Sequence, residues 1–419
     1  MTRKMKDSGV EWIGEIPEDW EIVPVKRKFH NKKIIVGEDE VSYERLALTL
    51  NGVVKKSKLV SDGLQPEKFS TYQLLEKNEL VLKLIDLENV KTSRVGYSNY
   101  TGIVSPVYIT LNNPNETKFG YYYFINLWYQ EIFNYMGMGV RSNLTATDLL
   151  NFPYVLVPSS QQQKIVDILD DKIGRIDQII SETQQSIEEL KKYKQSVITE
   201  AVTKGLDKKA KMKDSGIEWI GEVPNHWNLK RIGNYFYQVK NKNIKLIETN
   251  LLSLSYGNII RRDINSSEGL LPENFSGYNI IQAADIVLRM TDLQNDHKSL
   301  RTGYAKEKGI ITSAYITIRT DFNEINSQYV QFLLHTFDVQ KGFYGMGSGV
   351  RQNVNFDDIK KISIVMPNRI EQDTIVNFVV EKINHVDSII QKKEQLILEL
   401  TEYKKSLIYE YVTGKKEVG

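Results

Sequence analysis

A long run of heptad-spaced apolar residues between Leu169 and Ala201 places the strongest constraint on the fold. Read in sevens, it keeps two apolar positions per heptad over about five heptads, and only Thr183 and Lys194 interrupt them. Such a seam is typical of a helix that packs along its length against a partner helix. A helix over residues 161–202 would be about 60 Å long. The alternative is one long helix in a large core, although core helices rarely keep a 3.5-residue period so far.

The chain also contains a tandem duplication. Residues 4–20 read KMKDSGVEWIGEIPEDW and residues 211–227 read KMKDSGIEWIGEVPNHW, with 13 of 17 positions identical at an offset of 207. We call these two segments the openers. The heptad seam recurs at an offset of 210, and its polar interruptions recur as Lys393 and Lys404. The shared phase makes the two helices natural partners, and a pseudo-two-fold relation between the halves would make them antiparallel. The predicted helix–helix seam consists of Leu169, Ile173, Ile176, Ile180, Ile187, Leu190, Val197, Val379, Ile383, Val386, Ile390, Ile397, Leu400 and Leu407.

The segment between each opener and its long helix shows mixed patterning. Strand-like runs occur at 45–50, 79–85 and 103–111 in the first segment and at 251–255, 285–290 and 310–318 in the second. Helical patterns occupy 120–135 and 327–343. We therefore predict an α+β fold, in which two similar mixed α/β domains are separated by two long helices that form an antiparallel coiled coil. The predicted division is 1–157 and 205–366 for the domains, and 158–204 and 367–416 for the helices.

Composition limits the functional classes. The 419-residue chain has no cysteine, which excludes disulfides and thiolate metal sites and suits a reducing cytoplasm. The N-terminal residues do not resemble a signal peptide, and no run of 18 apolar residues occurs, so we expect a cytoplasmic protein. The net charge of +2 weakens a nucleic-acid function without excluding it, because basic residues can gather on one face.

Basic and acidic residues follow one strand-like run in each half. Lys83 and Asp86 in the first half correspond to Arg289 and Asp292 in the second. A basic residue with aspartate or asparagine in a loop could read base edges, because lysine and arginine suit guanine and asparagine suits adenine. A strand-end turn with a local ion pair explains the same residues. The candidate DNA contacts here are Lys83, Asp86, Lys91, Arg94, Arg289, Asp292 and Arg301.

A glycine-rich segment near the end of each domain ends in an arginine and an asparagine. The first reads MGMGVRSN over 136–143 and the second reads MGSGVRQN over 346–353. Glycines let the backbone approach a ligand closely, so the segments could cradle a DNA phosphate. Neither segment matches a P-loop or a dinucleotide fingerprint. A plain glycine turn, whose arginine caps the preceding helix, is the alternative. The candidate contacts are Arg141, Asn143, Arg351 and Asn353.

Catalytic signals are missing from the sequence. The five histidines are scattered and unrepeated, and no G-x-S-x-G elbow occurs. We therefore expect no catalytic residues and no metal site in this chain. The tryptophans of each opener are interpreted as anchors of a lid on the domain.

The combined motifs resemble the specificity subunit of bacterial type I restriction–modification systems. The resemblance rests on the DSG-x-EWIGE-x-P-x-x-W openers, the GI-x-S-x-x-YI runs at Gly102–Ile109 and Gly309–Ile316 (with Thr312 in place of the serine), the helix starts after Pro158 and Pro367, and the two heptad helices. It covers essentially the whole chain. The first helix departs from the pattern, because Gln161 stands where the second helix has the acidic Glu371.

The resemblance implies a function in DNA recognition. Each domain would be a target recognition domain that reads one half of a bipartite site in double-stranded DNA, and the helices would fix the gap between the half-sites. The subunit would have no catalysis and no bound cofactor. It would recruit two modification subunits that methylate adenine with S-adenosylmethionine, and restriction subunits that use ATP and magnesium. A coiled-coil adaptor between proteins and an endonuclease with an unrecognised site are the alternatives.

Overall fold

A computed structural model describes residues 3–58, 68–89, 92–113, 117–137, 142–264, 272, 274–293, 296, 299–346 and 353–418. Its contacts divide the chain into two compact units. The first unit comprises 1–184 and 394–419, and the second comprises 185–393. Each unit therefore contains one domain and a part of both long helices. The predicted division into two recognition domains and two spacer helices rests on their expected functions, which these contacts do not test, so it stays a prediction.

The first domain is built on two four-stranded sheets, with strand orders β6-β5-β10-β7 and β4-β11-β8-β9. Its strands are β1 (Met5–Asp7), β2 (Glu15–Pro17), β3 (Glu21–Pro24), β4 (His30–Asn31), β5 (Arg45–Thr49), β6 (Gly52–Lys56), β7 (Gln73–Leu75), β8 (Leu80–Leu82), β9 (Val95–Tyr97), β10 (Gly102–Val104), β11 (Ile109–Asn112) and β12 (Pro153–Leu156). Helices α1 (Thr117–Tyr129), α2 (Ile132–Met136) and α3 (Ala146–Leu150) precede β12, which leads into the long helix α4 (Ser159–Lys204).

The second domain repeats this order of elements. Its strands are β13 (Met212–Asp214), β14 (Glu222–Pro224), β15 (Asn228–Arg231), β16 (Tyr237–Gln238), β17 (Leu252–Ser255), β18 (Asn258–Arg261), β19 (Asn279–Ile281), β20 (Ile286–Leu288), β21 (Thr302–Tyr304), β22 (Gly309–Ile311), β23 (Ile316–Arg319) and β24 (Ser363–Met366). Its helices are α5 (Ser327–Val339) and α6 (Phe356–Ile359), and β24 leads into the long helix α7 (Arg369–Val412). A four-stranded sheet, β16-β23-β20-β21, matches the sheet around β8.

Four predicted elements have different limits in the structure. The helical pattern 327–343 ends at Val339, before the left-handed Lys341 with its φ of 63°. The run 103–111 forms two strands, β10 and β11, because a turn in which Tyr108 N donates to Ser105 O (3.1 Å) separates them. The run 310–318 divides in the same way, with Tyr315 N donating to Thr312 O (3.2 Å). The helical pattern 120–135 breaks at Glu131, whose φ of 58° is left-handed. The hydrophobic pattern of the sequence continues through these turns, so it could not show where one element ends and the next begins.

The long helices pair antiparallel within this one chain. In the first unit, Leu169 and Ile173 near the start of α4 share a buried cluster with Leu407 and Ile408 near the end of α7. In the second unit, Ile198 and Ala201 near the end of α4 share a cluster with Ile375 and Val379 near the start of α7. The predicted antiparallel helix pair is therefore confirmed. Every residue of the predicted seam is buried or half-buried.

Two of the seam lysines, Lys194 and Lys404, pair with aspartates of the opposite helix. In the second unit, Lys194 Nζ lies 2.5 Å from Asp387 Oδ1, and in the first unit Lys404 Nζ lies 2.6 Å from Asp177 Oδ1. Asp177 and Lys194 are separated by 17 residues on α4, and Asp387 and Lys404 by 17 residues on α7. Both ion pairs therefore fit a single antiparallel register. A polar residue at a seam position typically fixes register at some cost in stability.

Each opener packs against the end of a long helix and bonds to the start of another. The helix ends carry left-handed glycines, Gly205 and Gly414, both with φ of 72°. In the second unit, Gly205 lies against Trp227, and in the first unit Gly414 lies against Trp20. Both tryptophans are almost completely buried. In the described part of the chain, no helix is long and apolar enough to cross a membrane.

Candidate nucleic-acid interface

Two segments that are far apart in the sequence meet in each domain. In the first domain, the backbone N–H of Leu87 donates to Ser142 O (3.1 Å) and that of Leu144 donates to Leu84 O (2.9 Å). In the second domain, Val354 N–H donates to Met290 O (3.1 Å). We call residues 83–89 with 142–144 the first crossed-loop site, and residues 289–293, 296 and 353–354 the second. The loop after β8 or β20 and the end of the glycine-rich segment thus form one surface feature.

An asparagine connects the two segments at the same point in both domains. The Oδ1 atom of Asn143 accepts the backbone N–H of Asp86 at 3.0 Å, and Oδ1 of Asn353 accepts that of Asp292 at 3.3 Å. Both asparagines are exposed. They were predicted to contact DNA, which stays a prediction. Each amide oxygen already serves the loop, so the exposed NH₂ group is the part that is free to meet a base or phosphate.

A buried arginine holds the loop of the first domain from below. Arg94 is 1% exposed, and its guanidinium donates to the carbonyl oxygens of Ile85 (2.7 Å), Asp86 (2.7 Å) and Asn89 (2.9 Å). Burial lowers the pKa of Arg94, and the nearby Asp86 carboxylate opposes that shift. A 3.3 Å bond to Lys83 O brings the number of carbonyl acceptors to four. Four acceptors suit the fork of five N–H donors on a guanidinium group.

Arg301 does the same in the second domain. It is 0% exposed, and it donates to the carbonyl oxygens of Thr291 (2.9 Å), Asp292 (3.4 Å) and Asp296. Both guanidinium groups are buried and bonded to loop carbonyl oxygens, which favours a role in holding the loop, and the predicted contact of Arg94 and Arg301 with DNA stays a prediction. Each arginine begins an R-x-G-Y motif, Arg94–Tyr97 or Arg301–Tyr304. An arginine in such a motif can bind phosphate or loop carbonyls equally well, and only the folded structure shows that both side chains point inward.

The loop aspartates have an uncommon backbone conformation. Asp86 has a φ of 53° and Asp292 a φ of 57°, both in the left-handed region that L-residues rarely adopt. Asp86 is exposed, and Asp292 is half-buried. Lys83 and Arg289 precede them and are half-buried, and Arg289 lies 3.5 Å from Asp296. These four residues stay candidates for DNA contact.

The remaining candidates fall outside the described residues. They are Lys91, Arg141 and Arg351. Of the eleven predicted contacts, the structure therefore brings together Lys83, Asp86 and Asn143 at the first crossed-loop site, and Arg289, Asp292 and Asn353 at the second. Among the residues that are described, no group of histidine and acidic side chains could hold a metal ion.

Sequence reasoning missed a hairpin next to each crossed-loop site. Strands β5 and β6 form one hairpin, and β17 and β18 form the other. A Cβ atom on Gly96 would lie 2.6 Å from Leu48, and one on Gly303 would lie 2.5 Å from Leu254, so glycine is needed for the hairpin to pack on the sheet. Each R-x-G-Y motif thus holds a loop with its arginine and seats a hairpin with its glycine. The repetition of the R-x-G-Y motif in both halves of the sequence was the signal that could have indicated this structural role.

The second domain supports its loop with a buried acid. Asp338 of α5 accepts the backbone N–H of Arg301. Burial raises the pKa of Asp338 to about 6, although the bond from Arg301 and its positive charge act in the opposite direction. The corresponding position in α1 is Trp128, so this support is found in one domain and not at the matching position of the other.

Comparisons with known proteins agree with this architecture. Residues 21–190 match the family model for the type I restriction modification DNA specificity domain. A putative type I restriction enzyme MjaX specificity subunit from Methanocaldococcus jannaschii is 22% identical, over 97% of this chain and 96% of the relative. The MjaVIII specificity subunit of the same organism is 23% identical, over 96% of this chain and 94% of the relative.

A solved structure shares the fold. It was described under the heading of complex assembly and conformational transition of the type I R-M system, and it matches 96% of this chain and 99% of its own with a TM-score of 0.69 at 11% identity. This chain and that structure therefore share a fold over nearly their whole lengths. Residues 21–190 thus match a type I restriction modification DNA specificity domain, and over nearly its whole length the chain is similar to type I restriction enzyme specificity subunits.

Proposed function

We propose that this specificity subunit reads a bipartite site in double-stranded DNA, with one half-site recognised by each domain. Sequence-specific DNA recognition without catalysis is the function of the class. The repeated crossed-loop site is the observation that carries the finer proposal. Both domains build the same loop junction from Asp–Asn and arginine–carbonyl bonds, while the neighbouring side chains differ. A shared framework with different exposed residues is what two unlike half-sites require.

We further propose that the helix pair sets the gap between the half-sites. Helix α4 has 46 residues and α7 has 44, so each is about 65 to 70 Å long at 1.5 Å per residue. One turn of B-DNA spans about 34 to 36 Å. A stiff pair of such helices is therefore suited to hold two recognition domains at a defined spacing, and the Lys–Asp pairs support one fixed register.

The partners and cofactors are part of the proposal. In it, two modification subunits and the restriction subunits bind to this chain, and S-adenosylmethionine, ATP and magnesium are held by those subunits. This chain itself would bind no cofactor. The resemblance to restriction enzyme specificity subunits supports this assembly.

The direct test is footprinting of this subunit in complex with its modification subunits on randomised and then selected duplexes. Two protected patches with a constant gap are expected. Protection that is absent at every salt concentration would favour a protein–protein adaptor instead. Cleavage by the isolated chain with magnesium would favour an endonuclease.

The spacer proposal predicts the result of a paired deletion. Residues 184–190 of α4 and 391–397 of α7 face each other in the register set by the Lys–Asp pairs, so removing both heptads preserves that register. Each helix shortens by about 10 Å, or about three base pairs at 3.4 Å each. The selected gap should shorten while both half-site sequences remain the same.

A deletion in α4 alone is the matched control. It moves α4 by seven residues relative to α7 on one side of the deletion. The Lys–Asp pair and the apolar contacts on that side are therefore lost, and the complex should assemble poorly. Changed half-sites with an unchanged gap, after the paired deletion, would contradict the spacer role.

A further inference from the structure

The geometry points to Asp86 as a specificity-determining residue for the first half-site. Its carboxylate would accept a hydrogen bond from an exocyclic amino group, N6 of adenine or N4 of cytosine, in the major groove. Arg94 and Asn143 act as positioning residues that hold Asp86 in place. This inference rests on the proposed function and specifies which residue within one domain makes the discrimination.

The backbone at Asp86 is the first argument. Glycine adopts a φ near +55° without strain, whereas a side chain makes this conformation costly. Aspartate is one of the few other residues that adopt this conformation with some frequency, and the chain carries it there in both halves, with φ of 53° at Asp86 and 57° at Asp292. A side chain kept at a position where glycine would be easier indicates that the carboxylate itself has a use.

The bonds around Asp86 are the second argument. Asn143 accepts its N–H, and the guanidinium of Arg94 takes its carbonyl oxygen at 2.7 Å. Both backbone groups of Asp86 are therefore bound on the protein side. The same pair of bonds fixes Asp292 through Asn353 and Arg301. A residue whose backbone is held on both sides presents its side chain with little freedom, which is what base discrimination requires.

The environment of the carboxylate is the third argument. Asp86 is exposed, and within the described part of the chain no hydrogen bond or salt bridge reaches its carboxylate oxygens. An ionised carboxylate accepts hydrogen bonds and donates none, so it selects bases that offer an amino group in the major groove and disfavours guanine O6 and N7 and thymine O4. The half-buried Lys83 on the same loop supplies a positive charge near the phosphates.

Asp86→Gly separates the side chain from the backbone. Glycine keeps the left-handed turn without strain but removes the negative charge near the buried Arg94, so the two effects offset each other and thermal stability should change little. Discrimination at one position of the first half-site should fall by about tenfold to a hundredfold, while the second half-site is read as before. Affinity for unrelated duplex should change little. Asp86→Asn keeps an acceptor and adds a donor, so it should shift the preference toward adenine.

Glu131→Gly is the matched control. Glu131 is also acidic, exposed and left-handed, with φ of 58°, and it lies outside the crossed-loop site. Its replacement should relieve similar strain and leave both half-sites unchanged. Equal loss of discrimination in both variants, or none in Asp86→Gly, would overturn the inference. Failure of the unmodified complex to protect any DNA would instead overturn the proposed function.

The positioning residues are tested by conservative replacement. Asn143→Asp keeps an oxygen that accepts the Asp86 N–H, whereas Asn143→Leu has none. The aspartate variant should retain discrimination at the position read by Asp86, and the leucine variant should lose it. Arg94→Lys offers fewer donors for the loop carbonyls, so it should lower discrimination with an unchanged salt slope, because no phosphate contact is removed. A salt slope reduced by about one charge would identify Arg94 as a phosphate contact and refute its positioning role.

Discussion

The two domains share their framework but differ in their polar interiors. Both have a seated hairpin, a carbonyl-binding arginine and a left-handed aspartate. In α5, however, Asp338 is buried and His335 is half-buried, where α1 has Ile125 and Trp128. The residues that shape the loop are therefore the same in both domains. The helix that packs behind the loop can carry either apolar or polar side chains at these positions, provided that the buried polar groups have hydrogen-bond partners.

The openers show a second difference between the two units. In the first, Trp20 Nε1 donates to Gln161 Oε1 (3.0 Å), and Gln161 Nε2 donates to Asp19 (3.2 Å). In the second, Trp227 Nε1 donates to Glu371 Oε1 (2.9 Å), and His226 lies 2.8 Å from Glu371 Oε2. The acidic group is on the opener in one copy and on the helix in the other. The absence of an acid at Gln161 is therefore compensated by Asp19.

The largest expected difference between the two units is the loss of stability when the glycine at each helix end is replaced by alanine. Alanine at Gly414 would place a Cβ 2.5 Å from Pro17, whereas alanine at Gly205 would lie 3.2 Å from Trp227. Both replacements also strain a left-handed turn. Gly414→Ala should therefore cost roughly 2 to 5 kcal/mol, and Gly205→Ala less, about 1 to 3 kcal/mol.

Denaturant unfolding of the two variants measures this difference. Each variant serves as the control for the other, because the backbone change is the same. Equal destabilisation would mean that the openers pack equally tightly on the two helix ends, against the observed spacing.

The second unit should respond to acid through His335. Burial lowers the pKa of this imidazole to about 4, with Lys194 acting in the same direction, and its Nε2 lies 2.7 Å from Gln195 Oε1. The unfolded chain takes up the proton near pH 6.5 and the folded chain does not, so stability is lost as pH falls from about 6.5 to 4. The loss attributable to this group approaches about 3 kcal/mol.

His335→Gln should remove that part of the pH dependence. The variant's stability, measured against pH, is compared with that of the unmodified protein, because Asp338 contributes with the opposite sign. Its raised pKa favours the folded state at low pH, and that contribution is lost as pH rises through about 6. Parallel pH profiles for the two proteins would show that His335 is not the responsible group.

The opener bonds should give the smallest effect. Glu371→Gln copies the first unit's residue into the second and keeps an oxygen for Trp227 Nε1. Only the pair with the exposed His226 is lost, so the cost should stay below about 1 kcal/mol. A thermal melt with Gln161→Glu as the reciprocal variant measures it. That variant loses the Gln161 Nε2 bond to Asp19 and places a carboxylate beside it, but Arg3 contacts both side chains and offsets the repulsion, so its effect should also stay below about 1 kcal/mol.

Sequence periodicity was sufficient for the larger features of the fold. The heptad seam and the repeat offset predicted two long antiparallel helices, because a helix seam depends on local spacing. The crossed-loop sites were not predictable, since residues 83–89 and 142–144 meet only through tertiary contacts. The burial of Arg94 and Arg301 was not predictable for the same reason. A charged side chain after a strand is usually exposed, and burial among carbonyl oxygens depends on the path of a loop that spacing does not encode.

The division into units has a consequence for biosynthesis. Residues 185–393 form the second unit as one uninterrupted stretch, whereas the first unit needs Leu407, Ile408 and Tyr411 in its core. These residues leave the ribosome more than 200 residues after Gln184. At about 5 to 20 residues per second, the earlier-made domain waits on the order of tens of seconds for the helix end that completes its core, while the later-made domain can already fold. The domain translated first is therefore the last to be finished.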